Sequence, residues 1–162
     1  PPAGVTLDIR TLHGIPLYDG DVEESEGIPA AVASLKDAIA QADGLLLATP
    51  EYNNGMPGVF KNALDWLSRP PADSARVFRD KPVAVMGASP GGFGTILSQN
   101  AWMPVLRTLQ TTRTVKGRLM VSHANKVIDA DGKLQEDAVR QQLTVFITGF
   151  VEFLEHREGV NG

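Results

Sequence analysis

The chain has no cysteine. Disulfides, a thiolate nucleophile and any cysteine-ligated zinc or iron–sulfur site are therefore excluded. A cysteine-free chain fits the cytoplasm, which is the expected location. Basic residues are also scarce: 15 lysines and arginines against 19 acidic residues leave a net charge of −4. No basic face is expected, which argues against an electrostatically driven nucleic-acid binder. No apolar run approaches the ~20 residues of a bilayer-spanning helix, so no membrane partner is expected. The three histidines, His13, His123 and His156, are too dispersed for metal-ligand spacing and read as surface or cap residues. There is no internal repeat and no low-complexity tract.

What is present is the composition of a globular protein, 43% hydrophobic and 21% charged over 162 residues. That length suits one domain with a single core, residues 1–162. Val5-Thr6-Leu7-Asp8-Ile9 alternates apolar and polar residues and predicts a short strand near a sheet edge. Residues 12–27 follow as a loop with an acidic cluster, which reads as a solvated segment beside a helix start rather than a metal site. Ile28 to Ala42 predicts a helix with Val32, Leu35 and Ile39 on one face, closed by Asp43-Gly44 with glycine as a left-handed cap.

The most informative stretch is Gly44 to Arg69. Leu45-Leu46-Leu47-Ala48 is a continuous apolar run suited to a strand buried on both faces. Pro50-Glu51-Tyr52-Asn53-Asn54-Gly55 breaks it, and Phe60, Ala63, Leu64 and Leu67 then fall at helical spacing. A breaker-rich loop covers 70–74. Val83 to Gly87 predicts a second, central strand that runs into Ala88-Ser89-Pro90-Gly91-Gly92-Phe93-Gly94. A helix follows to about Leu109, with Pro104 expected to kink or interrupt it. A strand at about 118–122, an Asp-Gly turn within 127–133 and a last helix from about Gln135 to Glu155 complete the chain. That last helix is expected to bury Val139, Leu143, Phe146, Phe150 and Leu154, with Gly159 and Asn161-Gly162 fraying beyond it. Strands alternating with helices predict a three-layer α/β sandwich with a parallel sheet.

Two strand-to-helix loops, Pro50 to Asn53 and Ser89 to Gly92, then lie at the carboxyl ends of parallel strands, where open α/β sheets bind ligands. The glycines of the second loop allow a flat ring to approach the backbone. Both loops can also be read as plain connections, with Ser89 as a helix cap, and Gly-Gly-Phe-Gly lacks the spacing of a dinucleotide fingerprint.

ATPEYNNGMPGVFKNALDWLSR resembles the signature segment of the NADPH-dependent FMN reductase family, whose members include chromate, quinone and azo-dye reductases of flavodoxin-like fold. VAVMGASPGGFGT is similar to that family's second diagnostic loop, and VTLDIRTLHGIPLYDGDVE to its second strand and following loop. The resemblance implies an enzyme that takes hydride from NADPH or NADH onto FMN. The hydride then passes to a small-molecule acceptor: a quinone, free flavin, an azo compound or a metal oxyanion such as chromate. It also implies that Pro50, Glu51, Tyr52 and Asn53 line the isoalloxazine, largely through backbone groups, and that Ser89, Pro90, Gly91 and Gly92 lie near its pyrimidine edge. Because hydride transfer is the cofactors' own chemistry, no nucleophile–base set is needed and no catalytic side chain is assigned. A non-catalytic electron carrier of flavodoxin type is the alternative.

Family members begin with a strand and a serine- and arginine-bearing loop that cradles the FMN phosphate, and no such segment precedes Pro1. In the 2-1-3-4-5 order of the fold that strand would lie between 5–9 and 45–49. The expectation is a flavodoxin-like domain short of its amino-terminal strand, binding FMN weakly as residues 1–162. Arg107 and Arg113 are weak candidates for a nicotinamide dinucleotide phosphate. Trp66 and Trp102 fit core packing, or a homodimer or homotetramer interface as the family implies.

Overall fold

The computed structural model describes residues 2–113 and 118–158. The expected fraying at 159–162 lies outside them. In chain order the elements are α1 (Gly20–Glu26), α2 (Ala30–Gln41), β1 (Leu45–Ala48), α3 (Gly58–Leu67), α4 (Pro71–Phe78), β2 (Pro82–Ala88), α5 (Ile96–Thr108), β3 (Thr112–Arg113), β4 (Leu119–Val121), α6 (Ala124–Val127) and α7 (Asp137–Glu158).

Among the described residues the four strands pair in parallel. β1 runs beside β2 with Leu45 opposite Val83 and Ala48 opposite Met86. The other side of β2 is shared: β3 pairs with its first residues, Pro82 and Val83, and β4 with its last, Met86 to Ala88. β3 and β4 thus occupy one lane of the sheet in two pieces. The expected strands at 45–49, 83–87 and 118–122 are present, and β3 was not foreseen because two residues carry no readable alternation.

Successive side chains of a strand point to opposite faces, and this sorts the core into two clusters. Leu47, Val83 and Val85 pack against Val32 and Ile39 of α2, Leu64, Trp66 and Leu67 of α3, Val77 and Phe78 of α4, and Trp102 and Leu106 of α5. Ala84, Leu119 and Val121, with Leu46 and Met86, pack against Phe146 and Phe150 of α7, flanked by Val139, Leu143 and Leu154. Helices cover both faces of a parallel sheet, giving the three-layer sandwich read from the sequence.

Several expectations are corrected. Residues 5–9 form no strand, and Leu7 and Ile9 are exposed. Alternation becomes a strand only where a neighbour completes the ladder, and among the described residues none lies alongside. The 12–27 segment is not all loop: its acidic residues form α1, whose first turn is capped by Asp19 accepting from Asp21 N at 2.9 Å. The breaker-rich 70–74 segment opens α4, because proline suits a first helical turn. Of the kink or interruption expected at Pro104, the interruption does not occur: α5 runs continuously through it.

Gly44 is not a left-handed cap either, since it is absent from the positive-φ glycines of the described chain. A side chain there would instead meet Phe150 at 2.7 Å and Leu154 at 2.9 Å. It is small so that α7 can lie close against the sheet. The carboxyl end of α2 is closed by Lys81, whose ammonium donates to the Ala40 carbonyl at 3.2 Å.

Candidate functional site

β1 and β2 are adjacent and parallel, so the loops that follow them emerge side by side. The first begins at Thr49, whose N–H still donates to Met86 O of β2 at 2.9 Å. Thr49 is almost fully buried, and its hydroxyl sits in a small polar network. Trp102 Nε1 donates to it at 3.2 Å, it donates to Pro50 O at 2.9 Å, and Ser98 Oγ lies 3.0 Å away. Two residues of α5 therefore support the first loop from beneath. Beyond Glu51 the chain reverses tightly. Tyr52 and Gly55 exchange both backbone hydrogen bonds at 3.0 Å, and Asn53 and Asn54 hold φ of 48° and 62°. That is a type I′ turn, which requires two left-handed residues and favours asparagine among the non-glycines.

The second loop is anchored to the third lane of the sheet. Ser89 N donates to Val121 O at 3.0 Å, Ala124 N to Ser89 O at 2.9 Å, and His123 N to Gly91 O at 3.1 Å. The Ser89 hydroxyl turns inward and donates to Gly94 O, closing the loop on itself. It does not cap α5. The cap position belongs to Thr95, and that side chain makes no cap hydrogen bond. Thr95 is fully buried against Gly87 and accepts from Gln99 Nε2 at 3.0 Å.

The missing cap comes from the other loop. Glu51 Oε2 accepts from Leu97 N at 2.9 Å and from Ser98 N at 3.0 Å, the second and third residues of α5. A carboxylate on first-turn amides is a charge-assisted bond favoured by the helix dipole, and an N-cap is typically worth about 1 kcal/mol. One side chain thus ties the first loop to the helix that continues from the second.

Of the eight residues singled out in the sequence, Ser89 is buried, Glu51 is half-buried, and Pro50, Tyr52, Asn53, Pro90, Gly91 and Gly92 are exposed. Among the described residues the N–H groups of Asn53, Asn54, Gly91, Gly92 and Phe93 have no acceptor. Gly91 and Gly92 leave open space beside them: an added Cβ would find only Ser89 Oγ at 3.8 Å or the His123 ring at 3.7 Å. The surface so formed offers unpaired backbone donors, little side-chain bulk and a rigid polar foundation. Such a donor set suits a flat heteroaromatic ring with acceptors along one edge.

Three features were not read from the sequence. The Thr49–Ser98–Trp102 network and the Glu51 cap join residues 46 to 53 positions apart, beyond any local pattern. His123 is the surface and cap residue read from the sequence, exposed and at the cap position before α6 with φ 50°; what was not read is that its ring borders Gly92.

Other candidates lie elsewhere. Arg113 pairs with Val83, near the start of β2, and Arg107 lies in the last turn of α5. Both belong to the opposite edge of the sheet from the two loops, roughly 20 Å away at 3.3 Å per strand residue. Trp66 and Trp102 are fully buried, so their indoles are core groups, not surface contacts. Trp66 Nε1 and Asn62 Nδ2 both donate to Pro16 O, at 3.0 and 2.8 Å. Arg69 Nε donates to Glu23 at 2.8 Å, and Tyr18 Oη donates to the same carboxylate oxygen at 2.8 Å. Arg69 holds the Glu23 carboxyl below its usual range, and the bond to Glu23 raises the Tyr18 phenol. Asn62, Trp66 and Arg69 thus hold residues 16–23 against α3 and the turn that follows it, away from the loop surface.

Comparison with known proteins gives this geometry a family. The profile described as NADPH-dependent FMN reductase matches residues 2–126. An NAD(P)H-dependent FMN reductase of Pseudomonas aeruginosa is 43% identical over 140 residues, covering 86% of this chain and 74% of the relative. A 2-hydroxy-1,4-benzoquinone reductase of a Burkholderia species is 36% identical over 156 residues, covering 96% and 83%. Among solved structures, the flavoenzyme FerB of Paracoccus denitrificans, an NAD(P)H:(acceptor) oxidoreductase, superposes with a TM-score of 0.78 at 32% identity, covering 90% of this chain and 78% of its own. The chain belongs to the NADPH-dependent FMN reductase family and has the flavodoxin-like fold.

Proposed function

We propose that this protein binds FMN across the loops 50–53 and 89–92 and uses it to pass hydride from NADPH or NADH to a quinone. The observation that carries the reading is the joined surface of the two strand-end loops, with unpaired amides and two unobstructed glycines at its centre. Family membership supports FMN and a nicotinamide donor. The quinone acceptor is supported by the benzoquinone reductase among the relatives.

The flavin, when bound, would supply the two-electron hydride chemistry. The chain's own residues bind and orient. Backbone N–H groups of Gly91 to Phe93 are free to donate to the polar edge of the ring. Pro50 to Asn53 form the adjoining wall, fixed by the type I′ turn on one side and the Thr49 network beneath. The loop surface is open to solvent, which supplies the protons that end on the reduced acceptor. Tyr52, Val59, Phe93 and Leu97 are exposed around the loops, which supports assembly into a homodimer or homotetramer that covers them.

The test is anaerobic oxidation of NADPH by the full-length protein with FMN and 1,4-benzoquinone. Consumption above the free-flavin background is expected, and it also separates an enzyme from a passive carrier. Equal rates with and without protein would remove the proposal.

A further inference from the structure

Glu51 stands in the loop next to the flavin surface, and an obvious reading makes its carboxylate an acid–base or ligand-contacting group. The geometry assigns it otherwise. Its Oε2 is committed to two amides of another element, Leu97 N at 2.9 Å and Ser98 N at 3.0 Å. α5 needs this because its own cap residue has been withdrawn: Thr95 is fully buried, faces Gly87, and makes no cap bond. Glu51 comes from the loop after β1, whereas α5 continues from the glycine loop after β2. The contact is thus the side-chain bolt between the two walls, laid over the Thr49–Ser98 contact of 3.0 Å beneath.

We propose that Glu51 is a positioning residue: through the first turn of α5 it fixes the 50–55 loop against the 89–94 loop, so that both present one rigid opening to the flavin ring. The inference rests on the FMN reading of that surface. It has a corollary. An α-helix start is ordinarily a ready anion site, but here a carboxylate of the protein already fills it. α5 therefore does not receive the cofactor's phosphate, and the two loops take the ring alone.

Reach is the first requirement of such a bolt, and charge strengthens it only once the reach is met. Glutamine keeps the reach and an acceptor oxygen but loses the charge, while aspartate keeps the charge and falls one methylene short. The experiment compares Glu51→Gln, Glu51→Asp and Glu51→Ala with the wild-type full chain. Amide hydrogen exchange is followed without cofactor, and FMN affinity by fluorescence quenching. Exchange at Leu97 and Ser98 is expected to speed by about tenfold or more in the aspartate and alanine variants, and less in the glutamine variant. FMN Kd is expected to rise about tenfold or more for aspartate and alanine and to stay within roughly threefold for glutamine.

An affinity order following charge, with aspartate like wild type and glutamine weakened, would overturn the proposal in favour of direct electrostatic contact. Unchanged exchange at Leu97 and Ser98 in the alanine variant would overturn it too, since no bolt would then exist. Should alanine fail to fold, the glutamine–aspartate pair still decides. Failure of wild type to bind FMN would sink the flavin reading itself, while the exchange data would report separately on the link between the loops.

Discussion

Gly87→Ala is expected to be among the most damaging single-methyl additions in the molecule. Gly87 lies in β2, between the end of β1 and the start of α5. A Cβ built there would stand 2.1 Å from Thr49 O, 2.4 Å from Thr95 Oγ1 and 2.9 Å from Thr95 Cγ2. The first of these is backbone and cannot rotate away. Thr49 N is simultaneously held to Met86 O at 2.9 Å, so relieving the clash means parting β1 from β2 where the two loops emerge. Overpacking of a core costs about 1–3 kcal/mol, and a backbone clash puts this case at the upper end, about 3 kcal/mol. For a chain of this size that is a fall in Tm of roughly 6–12 °C, read by thermal circular dichroism. Gly58→Ala serves as the control. Nothing lies within 4 Å of a Cβ at Gly58, the first residue of α3, and alanine there is expected to stabilise by about 0.4–1 kcal/mol. A Gly87→Ala protein melting within about 2 °C of wild type would refute the reasoning.

Gly91→Val tests the surface apart from the fold. Gly91 is exposed, lies outside the positive-φ set and has only Ser89 Oγ near a Cβ. Tm is expected to hold while FMN Kd rises by about tenfold or more, a cost of about 1.4 kcal/mol; unchanged affinity would move the ring elsewhere. Asp73→Asn tests the buried cation of α2. Lys36 is only 3% exposed and pairs with Asp73 at 2.6 Å, so removing the charge leaves an uncompensated ammonium. The Arg69 carbonyl still accepts from Lys36, which puts the expected loss, by urea unfolding at neutral pH, near the lower limit for breaking a buried pair, about 3 kcal/mol. Hydrogen bonds from Arg76 and Lys36 hold the Asp73 carboxyl well below the usual range. Its contribution is therefore complete above the ordinary aspartate value of about 3.9 and is lost as pH falls through the lower native value. The gap between wild type and variant should narrow only below about pH 4; narrowing nearer neutrality would contradict the pairing.

Much of the layer structure was legible because buried strands and helix seams write themselves into hydrophobic spacing. Leu45 to Leu47, Val83 to Met86 and the Phe146–Phe150–Leu154 stripe pack where expected, whereas Ala48, read as part of a strand buried on both faces, is exposed on β1. Residues 5–9 show the limit of that signal, since alternation records a strand's preference and not its partner. Pro71 misled for a related reason: proline marks a break when read alone and a first turn when a helix follows. Gly44 and Gly87 were visible as glycines, but the reason for each is a neighbour distant in sequence. At the site, the loops could be found from strand ends and glycine content, and the resemblance supplied their cofactor. The Glu51 cap and the Thr49–Ser98–Trp102 network could not be found, because each joins a side chain to a partner about 50 residues away. Only the parallel pairing of β1 and β2 brings those together.

The most direct measurement is an amide-shift map of the isotopically labelled protein titrated with FMN. The largest shifts are expected at Glu51 to Asn54 and Gly91 to Phe93 together, at one common saturation. Shifts confined to one loop, or concentrated near Arg107 and Arg113 at the opposite edge of the sheet, would contradict a flavin site built from both loops.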